Sequence, residues 1–258
     1  MKPKQKSKLA GSHQKCWLWG RHLVTETVTS GRWIPRKLIL SEDLGQNDLT
    51  QLKLALEKNP IPVEKAPPAR LKALCRSGDH QGFLAQMPEF EYESFEDFLK
   101  NLEPINSAPL LILDRIQDPH NFGAMLRSAE VLGACGVIIG QKQQVGVTTA
   151  VARASAGAVN HLSIVRVDNL LGSIHQLSER GFQITGTSLT DSVEMVPDIF
   201  KPPVGILIGN EATGVAPELL DACHERVRIP QSGRLDSLNA AVATGIMLYA
   251  ASPKSVES

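Results

Sequence analysis

Two stretches decide the fold: Val204-Gly-Ile-Leu-Ile-Gly-Asn-Glu-Ala-Thr-Gly214 and Val227-Arg-Ile-Pro-Gln-Ser-Gly-Arg-Leu-Asp-Ser-Leu-Asn239. Each opens with a short β-branched run and stops at residues that tolerate unusual backbone angles. In each case a helix-like apolar pattern follows. Two loops of this kind, ending neighbouring parallel strands, would lie side by side at the carboxyl edge of one sheet. That is where open α/β sheets bind ligands.

Working outward, the chain from Leu110 alternates strand and helix patterns. Strands are predicted at 110–113, 137–139, 161–167, 183–187, 204–208 and 227–229. Helices are predicted at 122–132, 147–156, 169–180, 217–223 and 237–251. Repeated βα units of this kind specify an α/β fold with a mostly parallel sheet covered on both faces. Upstream, residues 16–87 read as a small α/β unit. Its helices fall at 20–30, 48–58 (stripe Leu49, Leu52, Leu56) and 67–75, and its strands at 36–40, 61–64 and 81–86. Between the two lies Pro88 to Pro109, in which acids interleave with aromatics and prolines close the run. It reads as a linker, 88–107, carrying one short docking helix. The domain organisation expected is therefore a basic tail at 1–15, a first domain at 16–87, the acidic linker and a second domain at 108–258.

Composition narrows the function. A hydrophobic fraction of 42% and a charged fraction of 21% are those of a globular protein. No apolar run approaches the roughly 20 residues a membrane span needs. Cys16, Cys75, Cys135 and Cys223 are widely spaced, which argues against a zinc site or disulfide framework and fits a reducing, cytoplasmic setting. Net charge is zero but unevenly spread. Residues 1–87 hold 15 basic against 7 acidic residues (+8), residues 88–107 one against six (−5), and the remainder 11 against 14 (−3). An asymmetry of this size suits either a polyanionic partner or a solvated basic surface.

Three places carry candidate chemistry. In the helix after Asp118-Pro-His-Asn121, with Asn121 as the expected N-cap, Phe122, Met125, Leu126 and Ala129 form the core stripe. Arg127 falls about 140° round from Phe122, on the polar face, where it either solvates the helix or grips phosphate. In the 204–214 stretch, Gly209 and Gly214 permit close backbone approach and Glu211 supplies a carboxylate. The alternative there is a glycine turn with a solvated Glu. In the 227–239 stretch, Pro230 ends a strand, Gly233 turns, and Ser237 is an expected helix N-cap. Capping leaves Asn239 unexplained.

In this order and spacing the three places resemble the SpoU (TrmH-like) class of RNA 2′-O-ribose methyltransferases, of the SPOUT superfamily. Its motifs are matched by Asp118-Pro-His-Asn-Phe-Gly-Ala-Met-Leu-Arg127, by Ile208-Gly-Asn-Glu-Ala-Thr-Gly214, and by Ile229-Pro-Gln-Ser-Gly233 through Ser237-Leu-Asn239. The resemblance covers residues 108–251. The first domain, with Gly20-Arg21-His22 and His80-Gln81-Gly82, looks like the ribosomal-protein-like substrate-recognition domain of the 23S rRNA members. Ala212 stands where glycine is common, Gln231 where methionine is common, and Ala240-Ala241 where Val-Ser is frequent. None of these departures removes a polar group with a role.

The resemblance implies a trefoil knot near the carboxyl end, S-adenosylmethionine as cofactor, and a homodimer with its active site at the subunit interface. It assigns Asn121, Arg127, Glu211, Ser237 and Asn239 to the catalytic pocket. The backbones of Gly209, Ile229 and Leu238 would hold the adenosine end, with Thr187, Asn210 and Gly214 completing the cofactor set. It implies an RNA partner, most readily 23S rRNA, and no metal or membrane. Competing readings are the same chemistry on tRNA, and a catalytically silent knotted RNA-binding protein, which the complete polar set argues against. A nicotinamide oxidoreductase would need a G-x-G-x-x-G phosphate loop that the sequence lacks.

Overall fold

The structure, a computed structural model, describes residues 15–45, 47–102, 108–234 and 237–252. The expected basic tail, apart from Lys15, and the linker's end at 103–107 lie outside the described residues. The chain forms two compact units. One comprises Met1–Glu91 with Val147–His161, the other Tyr92–Gly146 with Leu162–Ser258.

In the first unit, β1 (Trp17–Trp19), α1 (Arg21–Ser30), β2 (Lys37–Ser41), α2 (Thr50–Lys58), β3 (Val63–Ala66), α3 (Pro68–Cys75) and β4 (Phe83–Gln86) build a four-stranded sheet of order β1-β4-β2-β3. Only the β2–β3 pair is parallel. Trp17, Ile39, Leu71 and Leu84 meet in its core. Strand β1 is not among the sequence expectations, because three residues are too few to show a period-2 pattern. The helix expected from 48 begins as a 3-10 turn at Asn47–Leu49, and Leu52 and Ala55 are its buried residues.

The second unit begins with α4 (Phe95–Asn101), capped by Ser94, whose hydroxyl accepts the Asp97 amide at 3.1 Å. Phe98 and Leu99 are buried in the core of this unit, and Glu93 bridges to Val165 in parallel register. Much of the acidic segment is thus built into the fold, because its aromatics alternate with acids and one face can be buried. There follow β5 (Leu110–Leu113), α5 (Pro119–Val131) and β6 (Gly136–Gly140). Next in the chain is α6 (Thr149–Ala154), which lies in the stretch that packs with the first unit. The remaining elements are β7 (Ile164–Val167), α7 (Leu170–Glu179), β8 (Gln183–Thr187), β9 (Val193–Glu194), β10 (Val204–Ile208), α8 (Pro217–Asp221), β11 (Glu225–Arg228) and α9 (Ala240–Ala251).

Seven strands pair in the order β7-β6-β5-β10-β8-β11-β9, every pair parallel. Strands β5 and β10, buried at every residue, sit at the centre, as continuous apolar runs require. Alternate residues Ile112, Ile138, Ile184 and Leu207 pack against α4, α7 and α8 on one face. On the other side, α5 and α9 pack on each other. They run parallel: Asn239 bonds Asn121 at their amino ends, and Ser252 Oγ donates to the Leu132 carbonyl at 2.9 Å beyond their carboxyl ends. The α5 stripe Phe122, Met125, Leu126 and Ala129 is fully buried, as its spacing predicts. One expectation needs correction. The loops after β10 and β11 do not end adjacent strands, because β8 lies between them.

Candidate active site

The carboxyl ends of β8, β10 and β11 enclose a cavity of about 490 Å3, within the roughly 300–1,000 Å3 of small-molecule sites. Its walls include Thr187, Gly209, Asn210, Glu211, Gly214, Ile229, Ser237 and Leu238. The loop after β8 (Ser188, Leu189, Thr190) completes them, a contribution the sequence did not signal beyond Thr187.

The loop after β10 is shaped by its own backbone. Asn210 and Gly214 exchange hydrogen bonds in both directions, at 3.1 and 2.9 Å, and Gly214 takes φ +67°, where a side chain would be strained. At Gly209 a Cβ would fall 2.1 Å from the Val215 nitrogen and 2.4 Å from the Gly214 carbonyl oxygen, so only glycine fits. The Asn210 side chain organises the turn. Its Oδ1 accepts the amides of Ala212 (2.9 Å) and Thr213 (3.1 Å), and its Nδ2 donates to the Arg115 carbonyl (2.8 Å) and towards Glu211 Oε2 (3.4 Å).

A second support comes from the end of β5. Buried Asp114 accepts the Ala216 amide at 2.9 Å and a two-pronged ion pair from Arg115, whose Nη2 also reaches the Gly214 carbonyl at 3.1 Å. The Asp114 carboxylate holds the Arg115 guanidinium above its usual pKa range. Arg115 itself takes φ +58°, an unusual setting for a side-chain-bearing residue. Neither residue was expected to serve the site. The only signal was a charged pair directly after a four-residue apolar strand.

The predicted catalytic residues divide in two. Asn239 is the N-cap of α9, its Oδ1 accepting the amides of Ala241 (2.9 Å) and Val242 (3.3 Å). That fixes its Nδ2 as a donor, and it donates to Asn121 Oδ1 at 3.0 Å. Asn121 Nδ2 therefore points at Glu211 and donates to Oε1 at 2.9 Å. Cap, amide and carboxylate form one directed chain ending at the cavity wall. Two capping expectations are overturned. Asp118 caps α5, leaving Asn121 in the first turn, and Asn239 caps α9 in place of Ser237. Once Asn239 takes the cap, Ser237 is released to the cavity wall. Arg127 stands apart. It is exposed on α5, six residues and about 9 Å along the helix from Asn121, and does not line the cavity.

No group of three or more potential metal ligands occurs among the described residues, and no described helix is long and apolar enough to cross a membrane.

The chain is similar to known proteins over most of its length. Residues 17–93 match the family described as RNA 2′-O ribose methyltransferase substrate binding. YacO of Bacillus subtilis, assigned to the TrmH family of tRNA/rRNA methyltransferases, is 34% identical over 239 residues, covering 92% of this chain and 95% of YacO. An rRNA methyltransferase from Sinorhizobium meliloti, also solved bound to AdoMet, superposes with a TM-score of 0.77 at 28% identity, over 93% of this chain and 87% of that one. The methyltransferase AviRb from Streptomyces viridochromogenes, in complex with AdoMet, gives 0.73 at 25% identity over 91% and 88%. Residues 108–249 match the SpoU rRNA Methylase family, and the chain belongs to that family.

Proposed function

We propose that this protein transfers a methyl group from S-adenosylmethionine to a ribose 2′-OH of structured RNA, with 23S rRNA as its substrate. The observation that carries the reading is the directed chain Asn239–Asn121–Glu211 beside a cavity whose floor at Gly209 admits no side chain. Bare backbone there suits the close approach of a nucleoside, and the cavity volume accommodates S-adenosylmethionine. Gly209, Ile229 and Leu238 would hold its adenosine end through their backbones, with Thr187, Asn210 and Gly214 around it. When bound, that cofactor supplies an electrophilic methyl carried on a sulfonium.

The chain's own residues then have positional and electrostatic work. Arg127 grips the phosphate next to the target ribose and stabilises charge growing on the 2′-oxygen, while remaining protonated, as a guanidinium does. Glu211, aimed by Asn121 and Asn210, accepts the hydroxyl proton directly or through a water. Ser237 and Asn239 fix the pocket's mouth.

A homodimer belongs to this proposal. Val131 on α5 and Val242 and Tyr249 on α9 leave apolar surface exposed, and Arg127 stands off its own cavity as it would if serving a partner's. So does a knot, since the chain leaves β11 near the sheet edge and returns through α9 to the side of β10 and α5. Similarity over 93% of this chain to an rRNA methyltransferase supports rRNA as the substrate.

Two measurements test the proposal. Mass mapping of ribose-methylated nucleotides, with and without this gene, is expected to show one position lost from 23S rRNA. Loss from a tRNA would move the substrate, and no loss from any RNA would defeat the reading. Arg127→Ala is expected to lower methyl transfer by about 10²–10³-fold with S-adenosylmethionine affinity kept, by analogy with deleting one oxyanion donor. Unchanged turnover would remove Arg127 from the mechanism.

A further inference from the structure

The second unit's chain lends a segment to the first. Residues 147–161 lie between β6 and β7 in sequence, yet pack with the amino-terminal unit and fall outside the substrate-binding match at 17–93. The attachment is specific. Thr149 Oγ1 donates to the Lys15 carbonyl at 2.7 Å, Asn160 Nδ2 donates to Thr27 Oγ1 at 3.1 Å, and His161 pairs with Glu26 at 2.8 Å. At its centre α6 places the Arg153 guanidinium 3.7 Å above the Trp19 ring.

That stack leaves Arg153 in an unusual condition. A guanidinium lying face-on to an indole uses its flat face, while its N–H donors all lie in the plane and point outward. Arg153 is exposed, and among the described residues its guanidinium makes no hydrogen bond or ion pair. Packing against the ring lowers its pKa by desolvation, and the charge of Asp79 opposes this. Trp19 ends β1 where Gly20–His22 meets the turn before β4: Gly20 donates to the Phe83 carbonyl at 3.3 Å, and the Arg21 amide to the Gln81 side chain at 3.0 Å. Arg21 and His22 are exposed at the same place. The result is a stacked, exposed fork of donors near Arg21 and His22, with Asp79 as its acidic neighbour.

We propose that Arg153, carried on α6 and held flat by Trp19, is a phosphate contact for the RNA bound by the amino-terminal unit. The inference rests on the RNA-modifying reading above. It assigns RNA contact to a residue encoded within the methyltransferase portion of the chain. Phosphate suits the fork because its two free oxygens match a planar pair of N–H donors, and stacking has already removed the side chain's rotational freedom.

The test compares full-length wild type with Arg153→Met, which keeps an apolar contact on Trp19 and loses the donors, and with Arg153→Lys, which keeps the charge and loses the fork. Filter binding to fragmented ribosomal RNA is measured across KCl concentrations, with S-adenosylmethionine affinity and Tm alongside. Arg153→Met is expected to bind RNA about 5–10-fold more weakly, with the slope of log K against log salt reduced by about 1, and with cofactor affinity unchanged. Arg153→Lys should fall between, with the wild-type slope. Arg153→Gln makes the same comparison should the Met variant misfold. A neutral variant with the wild-type slope, even if its Tm falls, makes Arg153 a packing strut and overturns the proposal. Wild type that binds the RNA but transfers no methyl group defeats the proposed function and leaves this comparison standing. Wild type that binds no RNA defeats both.

Discussion

The two loops that bound the cavity look alike in sequence and differ in construction. Residues 209–216 are tied down at nearly every step. Asn210 and Gly214 close the turn, Asn210 Oδ1 holds two amides, and Asp114 and Arg115 brace Ala216 and Gly214 from the end of β5. Among the described residues, 229–234 and 237–238 make no such bonds, and the Asn239 cap follows them. One loop is a cradle finished before any ligand arrives. The other, in its described residues, lines the same cavity without bonds of that kind. A site that positions a cofactor gains from a wall whose geometry is set in advance, and the 209–216 turn supplies it.

The largest expected effect separates the loops most cleanly. Gly209→Ala puts a methyl group into the backbone of residues 214 and 215, which has no slack to give, whereas a Cβ at Gly233 meets nothing within 4 Å. Titration calorimetry with S-adenosylmethionine should show affinity lost by about two orders of magnitude in Gly209→Ala, equivalent to roughly 2.7 kcal/mol. Gly233→Ala should bind within about threefold of wild type. Equal effects would mean that the contrast in hydrogen bonding does not govern cofactor binding.

Next in size is the brace. Asp114→Ala removes the acceptor of the Ala216 amide and leaves the Arg115 guanidinium without its carboxylate, a combination worth about 1–3 kcal/mol. At roughly 2–4 °C per kcal/mol for a protein of this size, a Tm drop of about 2–12 °C is expected, with weaker cofactor binding. Gln231→Ala in the unbraced loop should leave Tm within about 1 °C. A brace that could be removed without either change would make the 209–216 turn self-sufficient.

The fold was legible because apolar runs of four or five residues recur between helical patterns, and β5, β8 and β10 fall at the residues that pattern marks. Strand order was not legible. Nothing in β8 announces that it lies between β10 and β11, since parallel pairing is decided by crossovers that leave no local mark. Of the predicted residues that line the cavity, Gly209, Asn210, Glu211, Gly214, Ile229, Ser237 and Leu238 fall in the motifs that carry the resemblance, and Thr187 lies outside them. The caps were not legible. Asp118, Asn121, Ser237 and Asn239 are all competent N-cap residues, and a shift of two or three positions decides which one accepts the helix amides. Asp114 and Arg115 escaped because their partners are about a hundred residues away.

Asn239 is where the two loops meet in a single residue, and it allows their contributions to be separated. It caps α9, which follows the second loop in sequence, and it orients Asn121 towards Glu211 of the braced loop. Asn239→Ala loses both roles. Asn239→Ser keeps a good cap but replaces the amide donor to Asn121 with a shorter hydroxyl. Capping alone is worth about 0.5–2 kcal/mol, so the Ala variant should lose Tm by a few degrees while the Ser variant stays near wild type. If the directed chain to Glu211 matters for turnover, both variants should lose about tenfold in kcat, with the KM for S-adenosylmethionine little changed. Stability then follows the cap and rate follows the amide. A Ser variant with wild-type kcat would reduce Asn239 to a helix cap and leave Asn121 and Asn210 to hold Glu211 without it.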